Sequence, residues 1–145
     1  MIQILIVTHG ELAEALKTSS KMFFGDMSDS LETIGLFPTD SPDSLQEKIK
    51  DKIQEIDDES GVMIFVDIFA GSPFNNVAIV LDELKETHKL QCFTGINMPL
   101  LMEALSSCQT MTIEHLTEHL EKVSKDTIVN LRKALDILKI KMESW

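Results

Sequence analysis

The sequence predicts an α/β protein with a doubly wound, mainly parallel four-stranded sheet in the order 2-1-3-4 and helices on both faces. Short apolar runs alternate with longer amphipathic segments from residue 2 to residue 106, which gives a βαβαβαβα pattern. The run Val62–Val66 is apolar at every position, as expected of a strand covered on both faces. The order 2-1-3-4 places the ends of strands 1 and 3 at the switch point, where such sheets bind ligands.

Strands are predicted where β-branched and other apolar residues run together, and helices where apolar residues recur every three or four positions. The predicted strands are residues 2–7, 31–37, 62–66 and 90–94, and the predicted helices are residues 11–24, about 41–57, 73–87 and 100–106. Gly25 is expected to end the first helix, because glycine readily adopts the conformation that follows a helix. Either Ser41 with Pro42, or Ser44 with Glu47, can cap the second helix.

Composition is consistent with one domain spanning residues 1–145. The chain is 43% hydrophobic, which is enough for a sizeable core, and its formal net charge is −11. Nucleic acid is an unfavourable partner, because phosphate backbones are bound through a surplus of Lys and Arg.

Cys92 and Cys108 have no metal or redox spacing, so we expect reduced thiols in a cytoplasmic protein. Neither a signal peptide nor an apolar run long enough to cross a bilayer is present, and we expect no membrane insertion.

A candidate anion site follows the third strand. Asp67 stands directly after that strand, and Gly71 supplies a permissive backbone before the next helix. Ser72 is predicted as the N-cap and Pro73 as the first helical residue. The N–H groups at a helix N-terminus are unsatisfied and the helix dipole is positive there, so this loop can bind an anion such as a phosphoryl group.

His9, at the end of the first strand, is the candidate nucleophile. A neutral imidazole nitrogen attacks well near pH 7, and a carboxylate that accepts the other ring N–H fixes the tautomer. Asp67 is the candidate carboxylate, while Ser72 and the amides after it would hold the phosphoryl oxygens. Gly10 lets the backbone approach closely. The simpler alternatives are a solvated loop histidine and polar residues that only end a strand or cap a helix.

Three motifs resemble the enzyme IIA component of the mannose family of the bacterial sugar phosphotransferase system. They are Thr8–Gly10, Asp67–Asn75 and Gly95–Leu101, and the resemblance runs in order through residues 1–105. It implies that His9 receives a phosphoryl group at Nε2 from the histidine phosphocarrier protein and passes it to enzyme IIB, which serves the membrane sugar permease. It further implies that Asp67 orients the ring, that no cofactor or metal is needed, and that homodimers exchange a C-terminal antiparallel strand.

The sequence departs from the family pattern in two places. Ala70 stands where the family usually has the first of two glycines in the loop. The C-terminal segment, residues 107–145, lacks the glycine-containing strand of the family. Residues 127–129 suit the exchanged strand, whereas the apolar residues that follow suit one face of a helix. The segment is therefore either helical or a strand followed by a helix.

Other polar residues leave alternatives open. Thr8 and Asn75 are candidates for supporting the phosphoryl site, although Asn75 could equally support only the loop. Residues 95–99 either line the same crevice or form a structural turn. The remaining histidines, His88, His115 and His119, are expected at the surface without a role, since no third metal ligand accompanies the last two.

Two other functions remain as alternatives. One is a phosphocarrier subunit that feeds dihydroxyacetone kinase, which resembles the same family in its first domain. The other is a non-catalytic regulatory or ligand-binding domain with the same doubly wound fold. Uptake of phosphate on His9 would separate the carriers from the regulatory domain.

Overall fold

A computed structural model describes residues 1–144 of the chain. Within these residues the strands are β1 (Gln3–His9), β2 (Glu32–Leu36), β3 (Val62–Val66) and β4 (Leu90–Phe93). The α-helices are α1 (Leu12–Phe24), α2 (Pro42–Ile56), α3 (Ser72–Leu84), α4 (Met98–Ser107), α5 (Ile113–Val123) and α6 (Leu131–Glu143). Two short 3-10 helices span Gly25–Ser30 and Ser124–Asp126.

The four strands form one sheet in the order β2-β1-β3-β4, and every pairing is parallel. The predicted fold class and strand order are thus confirmed. In the register, Val7 of β1 lies opposite Val66 of β3, and His9 lies opposite Leu36 of β2. The residues that follow Val7 and Val66 therefore emerge side by side at the carboxyl edge of the sheet.

The sheet has a hydrophobic layer on each face, which explains why β3 is apolar at every position. On one face Met63 and Phe65 pack in a cluster with residues of α1, α4 and α5. On the other face Ile64 packs in a second cluster with residues of α2 and α3. Because neighbouring residues of a strand point to opposite faces, both sets of side chains must be apolar.

Helix ends agree with the predictions to within a few residues. Gly25 ends α1 with a φ of 56°, and the Ser41 side chain accepts a hydrogen bond from the Ser44 N–H at 3.2 Å, which selects Ser41 as the cap of α2. The predicted start of the fourth helix was two residues late. Asn97 caps α4 by accepting a hydrogen bond from the Leu100 N–H at 2.9 Å, so the helix begins at Met98.

The prediction that Ser72 caps α3 is wrong. Gly71 occupies the cap position with a φ of 90°, Ser72 is already helical, and no side chain caps this helix end. The positive φ of Gly71 turns the chain into the helix one residue earlier than a serine cap would. Pro73 consequently lies one residue inside the helix start.

Of the two alternatives for the C-terminal segment, the structure shows the helical one. Residues 127–129 form neither helix nor strand, so the predicted fifth strand is not found within residues 1–144. The Thr127 hydroxyl instead accepts a hydrogen bond from Asn97 Nδ2 at 3.1 Å. Asn130 then caps α6 through its side chain, which accepts a hydrogen bond from the Lys133 N–H at 3.1 Å.

Two further expectations concern the thiols and the membrane. Cys92 and Cys108 are both free, as predicted for reduced thiols. Burial raises the pKa of the Cys92 thiol to about 12. Among residues 1–144, no helix combines the length and the apolar character that crossing a membrane requires.

Candidate active site

His9 and Asp67 meet at the carboxyl edge of the sheet, where neighbouring parallel strands end. His9 Nδ1 lies 2.8 Å from Asp67 Oδ2, and the His9 backbone N–H donates to the same oxygen at 3.0 Å. The other carboxylate oxygen, Oδ1, accepts the Ile68 N–H at 3.1 Å. These contacts hold the carboxylate in one orientation against the imidazole ring.

The electrostatics of the pair select one tautomer of His9. Burial acts to raise the pKa of Asp67, but the hydrogen bonds from the backbone N–H and the ring of His9 outweigh it and lower the pKa below its ordinary value. Asp67 is therefore ionised at neutral pH and can only accept hydrogen bonds. The proton of the neutral imidazole must then reside on Nδ1, which leaves the lone pair on Nε2.

The two side chains of the pair differ in exposure to solvent. The His9 side chain is 47% exposed, whereas the Asp67 side chain is 11% exposed. A partner protein can reach the imidazole from solvent, while the carboxylate behind it is shielded. The arrangement can hold a nucleophilic nitrogen toward a second macromolecule.

Gly71 brings the loop backbone against the imidazole. A Cβ atom at this position would lie 3.2 Å from His9 Cε1 and 3.4 Å from His9 Nε2, so a larger residue would press on the ring. The first turn of α3 thus begins beside the nitrogen that carries the lone pair. Ala70, which departs from the family pattern, has a φ of 133°, a conformation that non-glycine residues rarely adopt.

The start of α3 is held by a residue that sequence reasoning missed. Asn76 is 5% exposed, and its Nδ2 donates a hydrogen bond to the Ser72 carbonyl at 2.8 Å. Asn75, the predicted support, is exposed, and its backbone N–H donates to the Gly71 carbonyl at 3.0 Å. The available signal was the position of Asn76 on the buried face of the helix, one residue before Val77.

Thr8 and Gly10 shape the turn on either side of the histidine. Thr8 is fully buried, its hydroxyl donates to the His9 carbonyl at 3.2 Å, and its oxygen accepts the Ala13 N–H at 2.8 Å. Gly10 has a φ of 56°, and its N–H donates to the Leu36 carbonyl at 2.7 Å. Thr8 therefore ties the end of β1 to the start of α1, and Gly10 supplies the backbone turn between them.

The segment after β4 reaches the same edge of the sheet, but its contacts are structural. The Ile96 N–H donates to the Val66 carbonyl at 3.1 Å, and Asn97 is occupied by the cap of α4 and by Thr127. Of the two alternatives for residues 95–99, these bonds favour the structural turn.

The other histidines lie away from the site. His115 is exposed, as expected. His88 and His119, which were also expected at the surface, are partly exposed, and each is paired with a carboxylate. His88 Nδ1 lies 2.7 Å from Asp57 Oδ2, and His119 Nε2 lies 2.8 Å from Glu103 Oε2.

The fold and the site together define a class of protein. It is a doubly wound α/β domain that presents a histidine–carboxylate pair at the switch point of a parallel sheet. The family model EIIA-man, described as the PTS system fructose IIA component, matches residues 3–121. The chain belongs to this family, the mannose-type enzyme IIA components of the sugar phosphotransferase system. Family membership supports a phosphoryl-carrier role in sugar transport.

Individual relatives agree with this assignment. The chain is 32% identical over 127 residues to the fructose-specific EIIA component of Bacillus subtilis, which covers 88% of this chain and 84% of the relative. It is 35% identical over 105 residues to the mannose-specific EIIAB component of Escherichia coli, covering 72% of this chain and 31% of that longer protein. The crystal structure of a phosphotransferase system EIIA component from Streptococcus agalactiae has the same fold, with a TM-score of 0.81 at 23% identity, and the match covers 92% of this chain and 99% of that one.

Proposed function

We propose that His9 accepts a phosphoryl group from the phosphorylated histidine phosphocarrier protein and passes it to enzyme IIB, which supplies a membrane sugar permease. The observation that carries the proposal is the 2.8 Å contact between His9 Nδ1 and Asp67 Oδ2. This contact keeps the proton on Nδ1 and leaves Nε2, on a half-exposed ring, as the nucleophile.

The transfer exchanges one nitrogen–phosphorus bond for another. The lone pair of His9 Nε2 forms a bond to phosphorus while the bond from phosphorus to the donor imidazole breaks, and the donor nitrogen keeps that electron pair. The His9 ring gains positive charge as it is phosphorylated, and the Asp67 carboxylate stabilises that charge through the Nδ1–H. In the transfer to enzyme IIB, His9 is the donor. The bond between phosphorus and His9 Nε2 breaks as enzyme IIB forms its own bond to phosphorus, and Nε2 keeps the electron pair.

The start of α3 is the proposed binding site for the phosphoryl oxygens. Negative charge develops on these oxygens, and the backbone N–H groups at a helix N-terminus stabilise it together with the positive end of the helix dipole. Gly71 and Ser72 lie at this end of α3, and Gly71 lies beside Nε2 of His9. Their amides and the Ser72 hydroxyl are the groups that we assign to phosphoryl binding.

The surface around His9 suits docking of a protein carrier. Ile68 and Phe69, in the loop after Asp67, are 53% and 77% exposed and offer apolar contacts next to the imidazole. The net charge of −11 should speed association with a positively charged partner at low salt. Stopped-flow association rates that do not change with salt would contradict that part of the proposal.

The remaining parts of the proposal follow from the family. We infer that residues 1–145 act as one enzyme IIA domain in the cytoplasm, without a dissociable cofactor, because donor and acceptor are themselves phosphoproteins. A homodimer is part of the same inference.

Intact mass after incubation with phosphoenolpyruvate, enzyme I and the histidine phosphocarrier tests the assignment. The wild type should gain one acid-labile phosphate and His9→Ala none. His119→Ala is the matched control, because His119 is also a partly exposed histidine 2.8 Å from a carboxylate, and it should still be phosphorylated. A folded wild type that gains no phosphate would contradict the carrier function and favour a regulatory or ligand-binding domain of the same fold.

A further inference from the structure

Thr8 is a polar residue at a position where the pattern of β1 favours an apolar one. Side chains of a strand alternate between its two faces, so Thr8 follows Ile4 and Ile6 on the face that packs against α1, α4 and α5. Ile4 is 3% exposed, and Ile6 and Thr8 are 0% exposed. A valine would fill such a position without bringing a hydroxyl group into the core. A polar residue where packing alone favours an apolar one often marks a functional requirement.

The buried hydroxyl of Thr8 makes its hydrogen bonds inside the turn that carries His9. Its proton is donated to the His9 carbonyl at 3.2 Å, and its oxygen accepts the Ala13 N–H at 2.8 Å. Glu11, which occupies the cap position of α1, makes no side-chain hydrogen bond to the start of the helix. The Thr8 hydroxyl therefore caps α1 in its place, and it joins the first turn of that helix to the histidine backbone.

The backbone of His9 is consequently held on both sides of its Cα atom. On one side its N–H donates to Asp67 Oδ2 at 3.0 Å, and on the other its carbonyl accepts the Thr8 hydroxyl at 3.2 Å. Rotation about either backbone bond of the Cα atom changes the direction of the Cα–Cβ bond, and with it the position of Nε2. Without the Thr8 hydroxyl, the carbonyl side of His9 loses this restraint.

We propose that Thr8 is a positioning residue for phosphoryl transfer and that it acts through the carbonyl of His9. This inference rests on the carrier function proposed above. Transfer needs Nε2 in line with the phosphorus of the donor, and a displacement of about 1 Å can cost about a hundredfold in rate. Thr8 is fully buried and cannot contact the donor, so it should affect the rate of transfer and leave donor binding unchanged. Since Asp67 selects the tautomer, Thr8 should not change which ring nitrogen of His9 is protonated.

Three variants separate the hydroxyl from the rest of the side chain. Thr8→Val removes the hydroxyl and keeps the branched shape, whereas Thr8→Ser keeps the hydroxyl and removes the methyl group. Ser20→Ala is the matched control, because Ser20 is a 0% exposed residue of α1 whose hydroxyl donates to the Lys17 carbonyl at 2.7 Å. It lies about two helical turns beyond Ala13. Urea denaturation establishes that each variant is folded and measures its stability.

Rapid-quench single turnovers with increasing phosphorylated phosphocarrier give the maximal transfer rate and the half-saturating donor concentration. Thr8→Val should lower the maximal rate by about ten- to a hundredfold and change the half-saturating concentration by less than about twofold. Thr8→Ser and Ser20→Ala should stay within about threefold of the wild-type maximal rate, even at the same loss of stability. A Thr8→Val protein as fast as Ser20→Ala, or a Thr8→Ser protein as slow as Thr8→Val, would overturn the proposal.

NMR of the ¹⁵N-histidine-labelled protein gives a second readout that needs no phosphate. In Thr8→Val the ring proton signals of His9 should move, while its ring nitrogen signals keep the pattern of a proton on Nδ1. Ser20→Ala should leave both unchanged. A wild type that takes up no phosphate would overturn the carrier function, and the His9 signals would still decide whether Thr8 positions the ring. Unchanged His9 ring signals in Thr8→Val would overturn the positioning role, whatever the result of phosphorylation.

Discussion

A single oxygen of Asp67, Oδ2, accepts hydrogen bonds from both the backbone N–H and the ring Nδ1 of His9, at 3.0 and 2.8 Å. The backbone bond fixes the carboxylate relative to the end of β1, and the ring bond fixes the imidazole relative to the carboxylate. Position and tautomer of the nucleophile therefore depend on the same atom, and changes at Asp67 should affect both.

Asp67→Asn should slow phosphorylation of His9 by roughly 10²–10⁴-fold. The amide can turn its NH2 toward the ring, which would move the ring proton to Nε2 and remove the nucleophilic lone pair. Rapid-quench measurement of phosphate uptake from the phosphorylated phosphocarrier gives the rate.

Asp82→Asn is the matched control for that rate. Asp82 is an exposed residue of α3 paired with Lys85 at 2.8 Å, so its replacement removes a carboxylate without touching His9. An Asp67→Asn protein that is phosphorylated as fast as this control would contradict the role of the carboxylate.

Gly71→Ala should reduce the phosphorylation rate, because a methyl group 3.2 Å from His9 Cε1 would shift the His9 ring by a few tenths of an ångström. Gly95→Ala provides the comparison. Gly95 has a similar φ of 76°, but a Cβ there meets no atom within 4 Å. Both variants should lose about 1–2 kcal/mol of unfolding free energy through the positive φ, as measured by urea denaturation.

Only Gly71→Ala should lose activity in that comparison. Equal phosphorylation rates for Gly71→Ala and Gly95→Ala, at similar stability, would contradict this expectation. They would show that phosphorylation does not depend on the close contact between Gly71 and the His9 ring.

The stability that Asp67 provides should depend on pH. Its folded pKa lies below the ordinary value of 3.8, so the unfolded chain binds a proton more readily than the folded protein. The contribution is fully present above pH 3.8 and is lost as the pH falls through the lower folded pKa. The difference in unfolding free energy between wild type and Asp67→Asn should therefore be largest near neutral pH and shrink below pH 3.8. If the difference in unfolding free energy instead grows as the solution is acidified, the lowered pKa of Asp67 in the folded protein is contradicted.

Asn76→Ala should cost about 0.5–1.5 kcal/mol of unfolding free energy, because it removes the 2.8 Å hydrogen bond from the side chain to the Ser72 carbonyl. The start of α3 should then shift, and the phosphorylation rate should fall. Asn75→Ala should change stability by less than about 0.5 kcal/mol, since Asn75 is exposed. Equal unfolding free energies for the two variants in urea would show that Asn76 does not hold the helix start.

The sheet and the His9–Asp67 pair were predictable from sequence for a physical reason. Strands alternating with helices pair in parallel, and the order 2-1-3-4 brings the ends of β1 and β3 together. Residues that directly follow these strands must then be neighbours, whatever their separation in sequence. His9 and Asp67 are 58 residues apart in the chain and still meet.

The start of α3 was less predictable, because the backbone angles of a loop depend on its three-dimensional surroundings. A serine followed by proline is typical of a capped helix, yet the positive φ angles of Ala70 and Gly71 start the helix one residue earlier. Asn76 was missed because a polar residue in a helix is usually counted as exposed. Its position on the buried face of the helix, one residue before Val77, was the available signal, and the Ser72 carbonyl accepts the hydrogen bond that its side chain donates there.

The C-terminal segment was ambiguous because two local preferences compete there. Thr127, Ile128 and Val129 favour a strand, while the spacing of the following leucines favours a helix. The side chains of Asn97 and Asn130 decide between them, the first by bonding Thr127 and the second by capping α6.

The central claim is that His9 Nε2 carries the phosphoryl group. Long-range proton–nitrogen NMR of the protein labelled with ¹⁵N-histidine, before and after phosphorylation, tests it most directly. The account predicts a proton on Nδ1 of the free His9 ring and, after transfer, phosphorus coupling at Nε2 of His9 while the other histidines are unchanged. Phosphorus coupling at His9 Nδ1, or at His88, His115 or His119, would contradict it.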